Sequence, residues 1–238
     1  MGRLAVVAGN SILGTGYPPG AELRGVAEPG GPVGVADAGT HVVLQRHGLG
    51  RYTQPHRIDN RANLEALREL GCDRVLAIGS VGGLRTELGV GTFVCPDDFI
   101  ALHVGTSVFD DERGHRVHGI DSEWRQRVID AWTGTAELPL RDGGTYWQTI
   151  GPRLETAAEI GLIAAHADVV GMTLGTECVI AGELGLAYAA VCVVDNLAHG
   201  IGDAPLSAEE IAAGAVENRK RLLPALEAVA LALAEDEG

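Results

Sequence analysis

Arg46 and His47 stand side by side, with Gly48 behind them, at the end of the apolar run His41–Gln45. Such a pair supplies a fixed positive charge and a hydrogen-bond donor suited to phosphate, although a surface salt-bridge pair would have the same composition. A second group, Ala8-Gly9-Asn10-Ser11, is a glycine-containing turn whose backbone N–H groups suit an anion. Many α/β proteins begin with such a turn. In Gly79-Ser80-Val81-Gly82-Gly83, consecutive small residues let backbone lie against a flat ligand or a sugar, or simply make a tight turn. Three more groups carry polar side chains: Gly151-Pro152-Arg153-Leu154-Glu155-Thr156, Val170-Gly171-Met172-Thr173 and Val194-Asp195-Asn196. Each is ambiguous alone.

These groups need elements to position them, and the pattern supplies them. Short β-branched runs at Arg3–Ala8, His41–Gln45 and 74–78 read as strands, with a helix over 60–70 in which Leu64, Leu67 and Leu70 share a face. Gly71-Cys72 is a natural helix stop. Further helices are expected over 123–131, 154–166 and 176–184, with strands over 145–150, 168–172 and 187–194. A last helix starts near Ser207, where Ser-Ala-Glu-Glu offers a cap. This alternation indicates an α/β fold with a largely buried sheet, and most of the polar groups lie just beyond its strand ends, where open α/β sheets bind ligands. The Pro/Gly-rich segment 17–34 reads as a surface excursion.

Composition narrows the partners. A chain of 238 residues with 46% hydrophobic and 21% charged side chains has material for a sizeable core. A formal net charge of −14 argues against nucleic acid and requires that any phosphate sit in a local cationic pocket. Cys72, Cys95, Cys178 and Cys192 have no zinc-site or CxxC spacing and read as reduced, buried thiols. Neither a signal peptide nor a bilayer-spanning apolar run is expected, and the expected compartment is the cytoplasm.

In order and spacing, QRHG, PHRIDNRANLEAL, GSVGGL, GPRLETAAEI and DVVGMTLGTECVIAGELGLAYAAVCVVDN resemble the trimeric purine nucleoside phosphorylase and 5′-methylthioadenosine phosphorylase family. The likeness runs from Leu4 to about Ala230 and is nearest, in its motifs, to the 5′-methylthioinosine phosphorylase branch. It implies one α/β domain over residues 1–238, with a mixed, distorted central sheet flanked by helices. It implies a homotrimer with active sites near subunit contacts. The implied reaction cleaves the N-glycosidic bond of a purine nucleoside with inorganic phosphate as co-substrate, giving free base and sugar 1-phosphate. No metal or organic cofactor is implied.

The resemblance places phosphate against Arg46, His47, Ser80 and Thr173, with the Asn10-Ser11 turn closing over it. It puts Met172 against the ribose, with His56 lining the sugar, and Leu154, Glu155 and Asn196 at the base. Arg46, His47 and Asn196 are the implied catalytic residues: the bound anion stabilises a cationic sugar, and Asn196 takes charge developing on the leaving purine. Relatives acting on 6-aminopurines carry an Asp at the place of Asn196. An Asn donates to a 6-oxo group and a Glu accepts from N1–H, so Glu155 and Asn196 favour a 6-oxopurine. Asp195, where the family has Thr or an apolar residue, would reverse that preference if it faced the base instead.

At the sugar's 5′ end the family's His is replaced by Ala208, and Leu206 and Ile211 offer apolar surface, which favours a methylthio or deoxy 5′ carbon over a hydroxyl. The expected substrate is therefore 5′-methylthioinosine or another 5′-modified nucleoside. Alternatives are a general inosine/guanosine phosphorylase and a 5′-methylthioadenosine phosphorylase. The first loop departs from the family in having Asn10 for the usual hydroxyl, which leaves Asn10 or Ser11 to meet phosphate. A water-using nucleosidase and a non-catalytic purine-binding protein are the rival functions.

Overall fold

In the computed structural model, which describes residues 2–26, 28, 31–103, 105–202 and 207–235, the chain folds around an eleven-stranded mixed sheet. Its centre is made by the most continuously apolar segments. β1 (Arg3–Ala8) lies between β4 (His41–Gln45) and β5 (Cys72–Gly83), parallel to both, with Val6 opposite Val43 on one side and Leu76 on the other. Strands buried on both faces carry no polar alternation, which is why these runs read as nearly all apolar. Successive residues still serve different layers. Ala5 and Val7 enter a core shared with Leu64 and Leu67 of α1 (Asn60–Glu69) and Ile180 of α4 (Leu174–Leu184). Leu4, Val6 and Ala8 enter a second core with Trp124 and Trp132 of α2 (Ser122–Thr135) and Leu226 of α5 (Ala208–Glu235). Two helical layers thus sandwich the sheet. Truncating Leu64 or Leu67 to Ala would cost about 2–5 kcal/mol.

The long strand β5 distorts the sheet. Its first half pairs with β1 as far as Ile78; its last residues, Gly82 and Gly83, pair antiparallel with β10 (Val169–Gly171). β11 (Ala187–Leu197) follows β5 in parallel along its length, with one register shift between Val194 and Asn196. β1 and β10 therefore neighbour the same strand at different heights, and a crevice opens where β1 ends. Such a divergence of strand partners is where α/β sheets take ligands.

The remaining strands extend the two sides. β2 (Arg24–Val26) and β3 (Val33–Asp37) form an antiparallel edge beyond β4. β6 (Phe93–Cys95) joins β11, β7 (Asp98–Ile100) and β10 flank β9 (Thr145–Gln148), and β8 (Leu140–Asp142) pairs with β6. The segment 17–34 is thus more than a surface excursion: it supplies β2 and opens β3, and Val33 is buried. The helix expected over 154–166 is shorter, α3 (Ala157–Ile163), because Thr156 and Glu159 form a reciprocal capping box that fixes its start. All four cysteines are free and buried. Among the described residues no helix is long and apolar enough to cross a membrane.

Candidate active site

The crevice at the end of β1 is a cleft of about 190 Å³, and it gathers side chains from every strand end around it. Asn10 comes from the turn after β1, Arg46 and His47 follow β4, Ser80 lies on β5, and Met172 and Thr173 lead from β10 into α4. Asn196 comes from β11, and Leu154 and Glu155 from the loop before α3. Residues spread over 187 positions of sequence meet here because the sheet brings its strand ends together.

Arg46 is buried, and its guanidinium is nearly saturated. Nε and Nη2 grip the two carboxylate oxygens of Glu177 on α4, Nη1 donates to the Ile78 carbonyl at 2.8 Å, and Nη2 leans on the Val7 carbonyl at 3.5 Å. With those four N–H groups engaged, one on Nη1 is left for a ligand. Burial opposes the guanidinium's charge, but the Glu177 carboxylate more than offsets it and the Arg46 pKa is raised. Tyr188 also donates its hydroxyl to Glu177, at 2.9 Å. From α1, Asn63 donates to the Arg46 carbonyl at 3.3 Å and fixes the backbone.

His47 is oriented just as firmly. Its Nδ1 lies 2.8 Å from the Thr53 carbonyl, which only accepts, so Nδ1 carries the proton. The ring stacks on Tyr52 with centroids 4.5 Å apart. Burial pulls the imidazole pKa below its ordinary value, against the Thr53 carbonyl. The neutral ring therefore has an unprotonated Nε2. Gly9 makes room for this pair: a Cβ there would stand 2.8 Å from His47 Nε2 and 3.1 Å from Arg46 Nη1.

Thr173 is the residue before α4, yet its hydroxyl makes no capping bond. The amides of Leu174 and Thr176 are met by the Tyr146 hydroxyl and by Gln148 Oε1 instead. The helix start is thus largely satisfied from β9, and Thr173 keeps its hydroxyl for the cleft it lines. Asn196 Nδ2 donates to the Leu197 carbonyl at 2.9 Å, which fixes the amide and leaves one N–H and Oδ1 for a ligand.

Not every expected residue lies in the cleft. Ser11 is buried and its hydroxyl has no partner; Asn10, whose carbonyl accepts from Arg219 of α5 at 2.7 Å, is the one in the lining. Asp195 is the extra residue in the register shift of β11; its buried carboxylate meets Ser80 and Asn218, while Asn196 takes the cleft. His56 lines an adjoining open groove of about 520 Å³, which shares Pro55 and Met172 with the cleft. Leu206 and the Ala208 side chain lie outside the described residues, but Ile211, one turn into α5, lines the cleft.

Several participants escaped the sequence reading. Glu177 sits among apolar residues of α4, and a lone carboxylate on a buried helical face signals a hidden cation. Asn218 and Gln148 gave no comparable signal. His199 also lines the cleft, with Nδ1 3.3 Å from the Glu155 carbonyl. Among the described residues no group of three or more His, Cys, Asp or Glu is placed to hold a metal ion.

A mixed α/β sheet with an arginine and a histidine side by side in a cleft at its strand ends is the frame of an enzyme of the phosphorylase type. The chain belongs to the phosphorylase superfamily, which it matches over residues 16–230. It is 42% identical over 195 residues to a probable 6-oxopurine nucleoside phosphorylase of Archaeoglobus fulgidus, covering 82% of this chain and 80% of that protein. It is 41% identical over 186 residues to a probable S-methyl-5′-thioinosine phosphorylase of Xanthomonas campestris, covering 74% of each. Among solved structures, a methylthioadenosine phosphorylase from Schistosoma mansoni in complex with adenine superposes with a TM-score of 0.82 at 25% identity, over 99% of this chain and 93% of that one.

Proposed function

We propose that this enzyme is a purine nucleoside phosphorylase that prefers 6-oxopurine nucleosides with an apolar 5′ substituent, 5′-methylthioinosine foremost. The observation that carries the reading is the meeting of Arg46, His47, Ser80 and Thr173 with Asn196 and Glu155 in one cleft. Phosphate held by Arg46 Nη1, His47 and the Thr173 hydroxyl lies against the face of the sugar it attacks, with Met172 lining the ribose. Charge leaving with the purine is received by the free N–H of Asn196, and positioning supplies much of the remaining rate.

Glu155 accepts from N1–H and Asn196 donates to the 6-oxo group, a pairing that an adenine-type base lacks. Relatives with 6-oxopurine and S-methyl-5′-thioinosine names support the same base. Ile211 in the lining supports an apolar 5′ group, since a hydroxyl there would lose a partner. A cleft of about 190 Å³ is small for a nucleoside plus phosphate. Closure by a neighbouring subunit of a homotrimer fits that size, with His56 and Pro55 toward the junction. The enzyme works in the cytoplasm as one domain, with inorganic phosphate as co-substrate.

The test is base release from inosine, guanosine, adenosine, methylthioinosine and methylthioadenosine, with and without phosphate. Strict phosphate dependence and fastest cleavage of methylthioinosine are expected. Equal rates without phosphate would make the enzyme a nucleosidase, and a preference for inosine would overturn the 5′ assignment.

A further inference from the structure

Ser80 lies in the anion cleft, but its hydroxyl proton points away from it. Its Oγ donates to Asp195 Oδ2, behind β5. Asp195 is buried, and its other oxygen accepts from Asn218 Nδ2 at 2.7 Å. Asn218 in turn donates to the Val194 carbonyl at 2.9 Å, so both of its contacts are to acceptors and its amide orientation is fixed. With Oδ1 taken by Asn218, Oδ2 accepts from Ser80, and the Ser80 proton is committed to it. What Ser80 then offers the cleft is a lone pair. α5 packs hard on this arrangement, since a Cβ at Gly214 would stand 2.1 Å from the Asp195 carbonyl oxygen.

His47 offers the same polarity. With Nδ1 donating to the Thr53 carbonyl, Nε2 of the neutral ring is an acceptor beside Gly9. The cleft therefore holds two acceptors, Ser80 Oγ and His47 Nε2, among the donors Arg46 Nη1 and Thr173. An oxyanion without a proton would leave these acceptors facing its own lone pairs, a loss comparable to burying them unpaired.

We propose that the anion site selects a tetrahedral oxyanion that carries a proton, and that Asp195 sets this selectivity by turning the Ser80 lone pairs toward the cleft. The inference rests on the phosphorylase reading and names the ligand's protonation. Hydrogen phosphate and hydrogen arsenate carry a proton for one of these acceptors; sulfate, with the same shape and charge as the phosphate dianion, carries none. Asp195 is here a positioning residue acting through Ser80.

Asp195→Asn tests the idea because its geometry inverts the polarity. Asn218 must still find an oxygen, so the new amide NH2 faces Ser80, which accepts from it and frees its own proton for the cleft. Calorimetric titrations with phosphate and with sulfate, above neutral pH where both are dianions, give the two affinities. In the unaltered enzyme sulfate should bind about a hundredfold or more weaker than phosphate. In Asp195→Asn sulfate binding should tighten by about tenfold while phosphate binding does not, a reversal that a merely damaged site would not produce. Comparable sulfate and phosphate affinities in the unaltered enzyme, a measurement that needs no variant, would overturn the proposal. So would an unchanged ratio in a folded Asp195→Asn. Failure to bind phosphate at all would instead count against the phosphorylase reading.

Discussion

Arg46 and Glu177, 131 positions apart, form a two-point ion pair beneath the cleft, with both side chains nearly inaccessible to water (4% and 1% exposed). The pair fixes the guanidinium and, with the Ile78 and Val7 carbonyls, leaves a single N–H unengaged. It also ties β4 to α4, the two elements that lead Arg46 and Thr173 into the same cleft.

Breaking this pair should therefore damage both fold and activity. Glu177→Ala leaves a buried, unpaired guanidinium and should lower unfolding free energy by about 3–5 kcal/mol in urea denaturation. The double variant Arg46→Leu/Glu177→Leu should be clearly less destabilised than Glu177→Ala, because no charge is left stranded. Arg46→Lys retains charge but not the fork, and should lower kcat/KM for phosphate by about a hundredfold. A Glu177→Ala enzyme as stable as the unaltered one would refute the assignment.

Gly9 supplies a sharper probe of the proposed phosphate site. Its substitution by Ala puts a methyl 2.8 Å from His47 Nε2 and 3.1 Å from Arg46 Nη1. Both side chains are anchored from behind, so contacts this short force a shift in the cleft wall beside them. The expected cost to phosphate binding is about 1–3 kcal/mol, seen as a rise in the KM for phosphate with little change in the KM for nucleoside.

Acid should weaken the folded state through His47. Its pKa lies below the ordinary imidazole value because the ring is buried beside Arg46, despite the pull of the Thr53 carbonyl. Below about pH 6.5 the unfolded chain binds a proton that the folded chain refuses. Stability is full above that value and declines as pH falls toward the folded pKa. His41, whose pKa is lowered mainly by burial, adds the same sign. Urea midpoints measured across this window should slope downward into acid. His47→Asn should flatten the slope without abolishing it.

The legible parts of the sequence were those in which local pattern and tertiary role agree. Arg3–Ala8 and His41–Gln45 have the expected limits because uninterrupted apolar runs leave no other way to bury them. β5 runs five residues beyond its expected end, since Gly79, Gly82 and Gly83 look like a turn until β10 and β11 are there to pair with them. Arg24–Val26 becomes a strand only because Val33–Asp37 lies beside it. The cleft residues near strand ends were readable from type and position. Their supports were not: which residue neutralises Arg46, or which of Asp195 and Asn196 faces inward, depends on a bulge and on α4 and α5 docking from far along the chain.

That bulge underlies the prediction on base choice. Because Asp195 is the extra residue, Asn196 alone of the two lines the cleft, with its amide held by the Leu197 carbonyl at 2.9 Å. Asn196→Asp replaces a donor with an acceptor of the same shape, so a 6-oxo group would meet a carboxylate while a 6-amino group would gain a partner. The ratio of kcat/KM for methylthioinosine over methylthioadenosine should fall by about a hundredfold or more. Asp195→Thr, which alters the residue behind Ser80, should leave that ratio nearly unchanged. If the ratio responds to Asp195 and not to Asn196, the base is read by the other residue and the 6-oxopurine assignment reverses.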